Sequence, residues 1–215
     1  SSNEPTEHFD LLPFPEKCAK IIAIPTTAGT GSEVTSVSVI SRGKEKKTIH
    51  NTAFCPFACI VDSELTMTVP ARTTMVTGLD AFTHAIEAFW SIKHSSLTDI
   101  LAAQSMKLIV KNIEKSYLSA DKDSRTAMSF ASLLAGLAFS QTRTTACHAI
   151  SYPMTMYYGV THGFAVALSL AGVADMNKGH FPNDDELFAL FETWGGIKRC
   201  HKSRPTLKEN TLFCL

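Results

Sequence analysis

Asp80, His84, His148 and His162 are the residues of this chain whose types and spacing could hold one metal ion. Asp80 and His84 fall in Gly78-Leu79-Asp80-Ala81-Phe82-Thr83-His84-Ala85-Ile86-Glu87, which reads as a helix. The i, i+4 spacing puts a carboxylate and an imidazole on one face, one turn apart. His148 follows Ala146-Cys147, and His162 stands before Gly163 and the apolar run Phe164 to Leu168, where it can project from a helix start. Three imidazoles and a carboxylate suit a borderline first-row cation such as Fe(II) or Zn(II) better than Mg or Ca. Glu87, three residues past His84, reads as a carboxylate that caps or pairs on its own helix.

A second candidate lies nearer the start. Pro25-Thr26-Thr27-Ala28-Gly29-Thr30-Gly31-Ser32-Glu33-Val34-Thr35 follows directly on a strand-like run. Hydroxyls, small residues and free backbone N–H groups after a strand form a polar cup that a nucleotide can approach closely. The pattern is neither GxGxxG nor a Walker sequence. Lys47, at a lysine-rich hairpin tip, is within reach of a cofactor phosphate or ribose.

The elements that must position these groups change character along the chain. Lys20-Ile21-Ile22-Ala23-Ile24-Pro25 is a short apolar run ending at a turn, as in a buried parallel strand; Thr35 to Ile40 alternates, and Ala58 to Asp62 is another short β-rich run. From Pro70 onward the periodicity is helical, over 71–92, 96–118, 122–140 and 163–176. Pro70 is placed to open the first of these, and Asp121-Lys122-Asp123-Ser124 to start the third. The expected fold is therefore α/β followed by all-α, with residues 1–68 an α/β portion, 69–195 a helical portion and 196–215 an irregular tail. Asp184 to Trp194 reads as an amphipathic helix, and Gly195-Gly196 breaks it before a basic stretch.

Composition narrows the partners. The 215 residues carry a formal net charge of zero, which removes any electrostatic case for nucleic acid. No apolar run reaches the length of a membrane span. The start is polar, without a signal-like leader, and lacks an initiator Met, so a piece of a longer protein is expected. Six cysteines, Cys18, Cys55, Cys59, Cys147, Cys200 and Cys214, form no paired framework and read as reduced thiols of a cytoplasmic protein.

Three segments together carry a family resemblance: Ile24 to Thr35, Gly78 to Glu87, and Thr161-His162-Gly163. They resemble the iron-containing (group III) alcohol dehydrogenases, in order and separation, from about Lys17 to about Trp194. The resemblance implies a Rossmann-like nucleotide domain, a helical metal-binding domain of dehydroquinate synthase-like architecture, and a cleft between them. It also implies a metal held by Asp80, His84, His148 and His162, with Thr26, Thr27, Ser32 and Lys47 toward the NAD(P) cofactor. The implied reaction is reversible hydride transfer between NAD(P)H and a small aldehyde, with the metal polarising the carbonyl oxygen.

Two departures from the family pattern matter. Where many members carry a second histidine four residues after the third ligand, this chain has Tyr152, which exchanges protons less readily at neutral pH than an imidazole. The stretch before His148, usually glycine-rich, is Gln141-Thr142-Arg143-Thr144-Thr145-Ala146-Cys147, and Arg143 there makes a grip for an anionic substrate group. That run resembles the phosphonoacetaldehyde reductase (2-hydroxyethylphosphonate dehydrogenase) branch. The family's Gly-Gly-Gly-Ser pyrophosphate turn is not found in the sequence. A metal-binding fragment or interaction protein without turnover therefore stands as an alternative, and a metal-dependent hydrolase or lyase as a third reading, weakened by the lack of an HExxH glutamate. The choice between iron and zinc, between NADH and NADPH, and of any homo-oligomer stays open at this point.

Overall fold

The computed structural model describes residues 19–43 and 45–179. The helix expected behind Pro70 runs Ala71–Phe89 (α1), with Pro70 at its N-cap, where a missing N–H costs nothing. Every residue from Gly78 to Ser91 is buried. A helix covered on all sides needs small residues where its neighbours approach, and Gly78, Ala81, Ala85 and Ala88 supply them.

Those neighbours are Ser96–Leu118 (α2), Lys122–Thr142 (α3) and His162–Asn177 (α5), while Ala146–Tyr158 (α4) packs chiefly on α5. Ser95 and Thr98 form a reciprocal capping box at the start of α2, and the Asp121 carboxylate accepts the Ser124 N–H at the start of α3. Both starts agree with the sequence reading; α1 stops three residues short of the expected 92, and α3 runs two beyond 140. Phe82 and Ile86 of α1 meet Met106, Ile109 and Ile113 of α2 and Met128 of α3 in the core. Arg125, buried on α3, donates to the carbonyls of Thr66 and Val69 at 2.8 and 3.0 Å, and so pins the chain that enters α1.

Helix α4 is the element that the periodicity did not reveal. Pro153 lies inside it, so the carbonyl four residues back loses its usual N–H partner. Only Cys147, His148 and Ser151 are buried, a narrow stripe at the end nearest α1.

The strands are fewer and shorter. Ile22–Ala23 (β1) pairs in parallel with Ala58–Cys59 (β4), as expected of a parallel strand. The expected burial does not hold: Ile22 is 58% exposed, and Ile21, Ile24, Phe57 and Ile60 are exposed with it. The described neighbour packed on β4 is a single 3-10 turn, Ser32–Val34, too small to cover an apolar ladder. Val37–Arg42 (β2) and Glu45–His50 (β3) form an antiparallel hairpin with Val37 opposite His50. The polar turn between β1 and β2 seats on the helices: Gly31, at φ +62°, presses against Gly136 of α3, where a Cβ would come within 2.6 Å of backbone. Cys55, Cys59 and Cys147 are free thiols. Among the described residues no helix is long and apolar enough to cross a membrane. The expected Asp184–Trp194 helix, the basic tail, Cys18, Cys200 and Cys214 lie outside the described residues.

One glycine sets the position of α5. A Cβ at Gly163 would lie 2.0 Å from the Val76 carbonyl oxygen and 2.8 Å from its carbonyl carbon, backbone atoms of α1 that cannot yield. Gly163→Ala should therefore cost about 1–3 kcal/mol, as overpacking in a dense contact does. Thermal or urea denaturation measures it; a variant as stable as the natural chain would mean that α5 is not seated on α1 as described.

Candidate metal centre

Asp80 and His84 lie on one face of α1, and Glu87 extends the same stripe to i+7. His148 sits in the first turn of α4 and His162 opens α5, so three helices deliver the four residues singled out by sequence. The structure brings them together. One ligand atom each from Asp80, His84 and His148 lie within 4.8 Å of one another. His148 Nε2 is 3.6 Å and His162 Nε2 3.7 Å from Asp80 Oδ1, ion-pair distances too long for hydrogen bonds. Asp80, His84 and His148 are buried, at 5%, 6% and 4% exposure, while the His162 side chain keeps some access to solvent.

Hydrogen bonding sorts the atoms of this cluster into two kinds. Asp80 Oδ1, His84 Nδ1 and His148 Nε2 are buried without a hydrogen-bond partner among the described residues. Buried polar atoms are paired in most folds, and each orphan costs about 1–3 kcal/mol. Two of these orphans, Asp80 Oδ1 and His148 Nε2, lie 3.6 Å apart beside a ring nitrogen of His84, and a cation between them would satisfy both. The outward atoms, by contrast, are held: His148 Nδ1–H donates to Glu87 Oε2, and His162 Nδ1 lies 3.3 Å from Ser151 Oγ. The rings also support one another, with His84 stacked on Phe139 at 4.2 Å and on His148 at 4.4 Å between centroids.

Electrostatics differentiates the histidines. Burial pushes His84 down to about 4, against the pull of Asp80. Burial also pushes His148 down, but Asp80 and Glu87 on either side of the ring reverse this and lift it to about 9. Burial would raise the Asp80 carboxyl, and the surrounding His84, His148 and His162 hold it below its usual range. Glu87 behaves alike: burial raises it, and the bonds from His148 and Thr145 win.

Glu87 is also where the structure corrects the sequence reading. It does not cap or pair on its own helix; it is 0% exposed and reaches across to Thr145, Cys147 and His148. Its place on the Asp80–His84 stripe was the available signal.

The remaining sequence candidates sit on two other elements. Thr26 is exposed, Thr27 half-buried and Ser32 exposed, all on the turn after β1, where Thr30 Oγ1 accepts from Ser32 Oγ at 2.8 Å. In β3 alternation puts Lys46, Thr48 and His50 on one face and Lys47 on the other. Lys47 is exposed, whereas Lys46 Nζ lies 4.6 Å from the Tyr152 ring centroid, half-buried, with its pKa lowered by burial against the pull of Asp80. Tyr152, one turn after His148, shares a 2.9 Å hydrogen bond with Thr48 Oγ1. Arg143 is exposed at the end of α3 with φ +67° and ψ 169°, and its N–H donates to the Phe139 carbonyl at 2.7 Å. Lysine 46 was the residue that sequence reasoning missed here, and strand alternation around Thr48 was its signal.

Comparison with known proteins agrees with this geometry. The model of the Fe-containing alcohol dehydrogenase family, C-terminal, matches residues 74–202, and that of iron-containing alcohol dehydrogenase matches residues 3–63. An NADPH-dependent butanol dehydrogenase of Clostridium saccharobutylicum is 41% identical over 162 residues, 74% of this chain and 42% of that protein. A sulfoacetaldehyde reductase of Bilophila wadsworthia is 38% identical over 164 residues, 75% of this chain and 42% of that protein. The crystal structure of a sulfoacetaldehyde reductase from Bifidobacterium kashiwanohense in complex with NAD+ superimposes with a TM-score of 0.81 at 37% identity, covering 92% of this chain and 53% of that one. The chain thus spans about half or less of the length of these relatives. The α/β-then-helical architecture is that of part of their fold. With its helical portion matched by the family model and its clustered Asp80, His84 and His148 in place, the chain belongs to the iron-containing alcohol dehydrogenase family, whose members use a metal and NAD(P).

Proposed function

We propose that this chain is the metal-holding part of an NAD(P)-dependent alcohol dehydrogenase or aldehyde reductase acting on a short aldehyde that carries a negative group. The carrying observation is the clustering of Asp80, His84 and His148, with the unpartnered Asp80 Oδ1 and His148 Nε2 facing each other beside His162 Nε2. Asp80, His84, His148 and His162 would hold Fe(II) or Zn(II). A bound cation of this kind supplies a Lewis acid for the substrate oxygen, and the nicotinamide supplies the hydride. Thr26, Thr27 and Ser32 would face the nucleotide with Lys47, while Lys46 lies on the opposite face of β3, beside Tyr152. Residues 1–68 would then be part of a nucleotide-binding domain and 69–195 the metal-binding domain, in a cytoplasmic protein whose thiols stay reduced.

Tyr152 takes the proton-handling role on this reading. It stands one turn from His148, and its hydroxyl is bonded to Thr48 Oγ1 at 2.9 Å, so a proton can pass from the phenol to a second hydroxyl. Arg143 would grip the anionic group. Burial lowers the His50 pKa, and the charges of Arg143 and Lys93 lower it further, which marks a neighbourhood of three basic side chains. Ser91 Oγ donates to the Thr142 carbonyl at 3.1 Å and accepts the Lys93 N–H at 3.2 Å, tying Lys93 to the residue before Arg143. Phosphonate and sulfonate both fit such a site, and two of the relatives are reductases of sulfoacetaldehyde.

The backbone of Arg143 supplies an independent argument. A positive φ favours glycine, so an arginine kept there stores about 1 kcal/mol or more of strain. Arg143→Gly should raise stability by roughly that amount and lower turnover of phosphonoacetaldehyde or sulfoacetaldehyde by roughly 10- to 100-fold, the loss of a charged hydrogen bond, while butyraldehyde is unaffected. Undiminished activity on both anionic aldehydes would end the substrate assignment.

Metal content tests the foundation. Protein purified without oxygen should carry about one Fe or Zn per chain, as a preformed site of this ligand set does, and His148→Ala should retain much less of it. No metal in the natural chain would remove the reading; metal without hydride transfer would favour the metal-binding protein lacking turnover that the sequence left open.

A further inference from the structure

The fully buried Glu87 touches the proposed metal ligands on one side and the loop behind Arg143 on the other. We propose that Glu87 is the positioning residue of this centre: it fixes the tautomer and ring plane of His148 and sets the spacing between the metal ligands and Arg143. The inference rests on the metal reading above and concerns a residue that touches neither metal nor substrate.

The first half follows from the hydrogen-bond inventory. A neutral imidazole carries one N–H, and whichever nitrogen holds it cannot ligate. Three donors converge on Glu87: Thr145 Oγ1–H at 2.7 Å and Cys147 N–H at 2.6 Å on Oε1, and His148 Nδ1–H on Oε2. The carboxylate is an acceptor on both oxygens, so the His148 proton belongs on Nδ1 and the Nε2 lone pair is left facing Asp80 Oδ1 at 3.6 Å. A carboxylate behind a ligating imidazole also raises its basicity. The other two histidines lack this support. His162 Nδ1 has the neutral Ser151 hydroxyl, whose own proton goes to the His148 carbonyl at 2.7 Å, and His84 Nδ1 has no hydrogen-bond partner among the described residues.

The second half follows from the other oxygen. Thr145 and Cys147 flank the entry to α4, two and four residues past Arg143. Thr145 Oγ1 also accepts from Trp90 Nε1 at 2.9 Å, so the end of α1 holds this loop at both Glu87 and Trp90. A single side chain thus fastens His148 and the segment that presents Arg143 to the same turn of α1.

Glu87→Gln separates this role from packing. The amide has the same shape and can still accept from Thr145 and Cys147, but its NH2 then faces His148 Nδ1. The ring must move its proton to Nε2 to accept that bond, which blocks the ligating nitrogen. Co(II) serves as the probe, with its affinity read by competition against a chelator and its coordination by the visible absorption of the bound ion. E87Q should weaken Co(II) binding roughly 10- to 100-fold, the range for partners of metal-ligating histidines, and alter the spectrum, with far-UV circular dichroism unchanged. E87D, which keeps the charge, should recover most of the loss. In the background of His148→Ala the E87Q penalty should vanish, because the carboxylate acts through that ring. Equal affinity in E87Q, or the same penalty with and without His148, would overturn the assignment. A natural chain that binds no Co(II) would instead overturn the metal reading beneath it, so the two failures are distinguishable.

Discussion

A helix that buries Asp80, His84 and Glu87 along one stripe must be given partners for them from elsewhere in the chain, and the rest of this fold is arranged around that need. A lone carboxylate taken out of water costs far more than any one hydrophobic contact returns. α1 carries two, and on its own helix only His84, one turn from each, lessens that cost. The compensation comes from His148 on α4 and His162 on α5. Both of those helices begin at the centre, which explains why the tight contacts lie at their starts: Gly163 against Val76, and the strapped loop 142–147 against Glu87, Trp90 and Ser91.

The charge pattern follows the same logic. From outside inward, Glu87, His148 and Asp80 alternate negative, positive and negative, with the two carboxyls held low and the His148 imidazole raised to about 9. His84, with His148 stacked on one face and Phe139 on the other, is instead pushed down to about 4 and is neutral. The two rings therefore differ in kind, although the sequence presents them as equivalent.

Legibility in the sequence tracked how local each feature is. The Asp80–His84 pair was visible because i, i+4 spacing fixes a shared face whatever the rest of the chain does. The starts of α2 and α3 were visible because Ser95 and Asp121 cap them with their own side chains. The convergence of His148 and His162 on that pair is a long-range fact, and it was available only through resemblance. Helix α4 was hidden by Pro153 and by having so small a buried face. Glu87 was misread because a carboxylate one turn from a histidine ordinarily bonds within its helix, and only the burial of α1 on all sides forbids it. Lys46 and Lys47 differ by a single step of strand register, which sends them to opposite faces of β3 and which composition cannot resolve. The isoleucines around β1 read as buried because apolar runs usually are; in the described residues their ladder has only two strands.

Tyr152 gains a rationale from this arrangement that the sequence comparison alone did not supply. The Tyr152 side chain, one turn beyond His148, reaches the hairpin. A protonated phenol does not ligate a borderline cation readily, yet it can still donate and accept a proton. The structure gives that hydroxyl a partner, Thr48 Oγ1, and gives its ring a cation, Lys46, both from the hairpin rather than from the helices. On the proposed reading, proton handling is thereby moved off the metal-holding helices and onto β3, so that the helical face can be built for ligation alone. The basic side chains of the proposed anion grip fall into the same division, Arg143 at the end of α3, Lys93 in the turn between α1 and α2, and His50 on the hairpin.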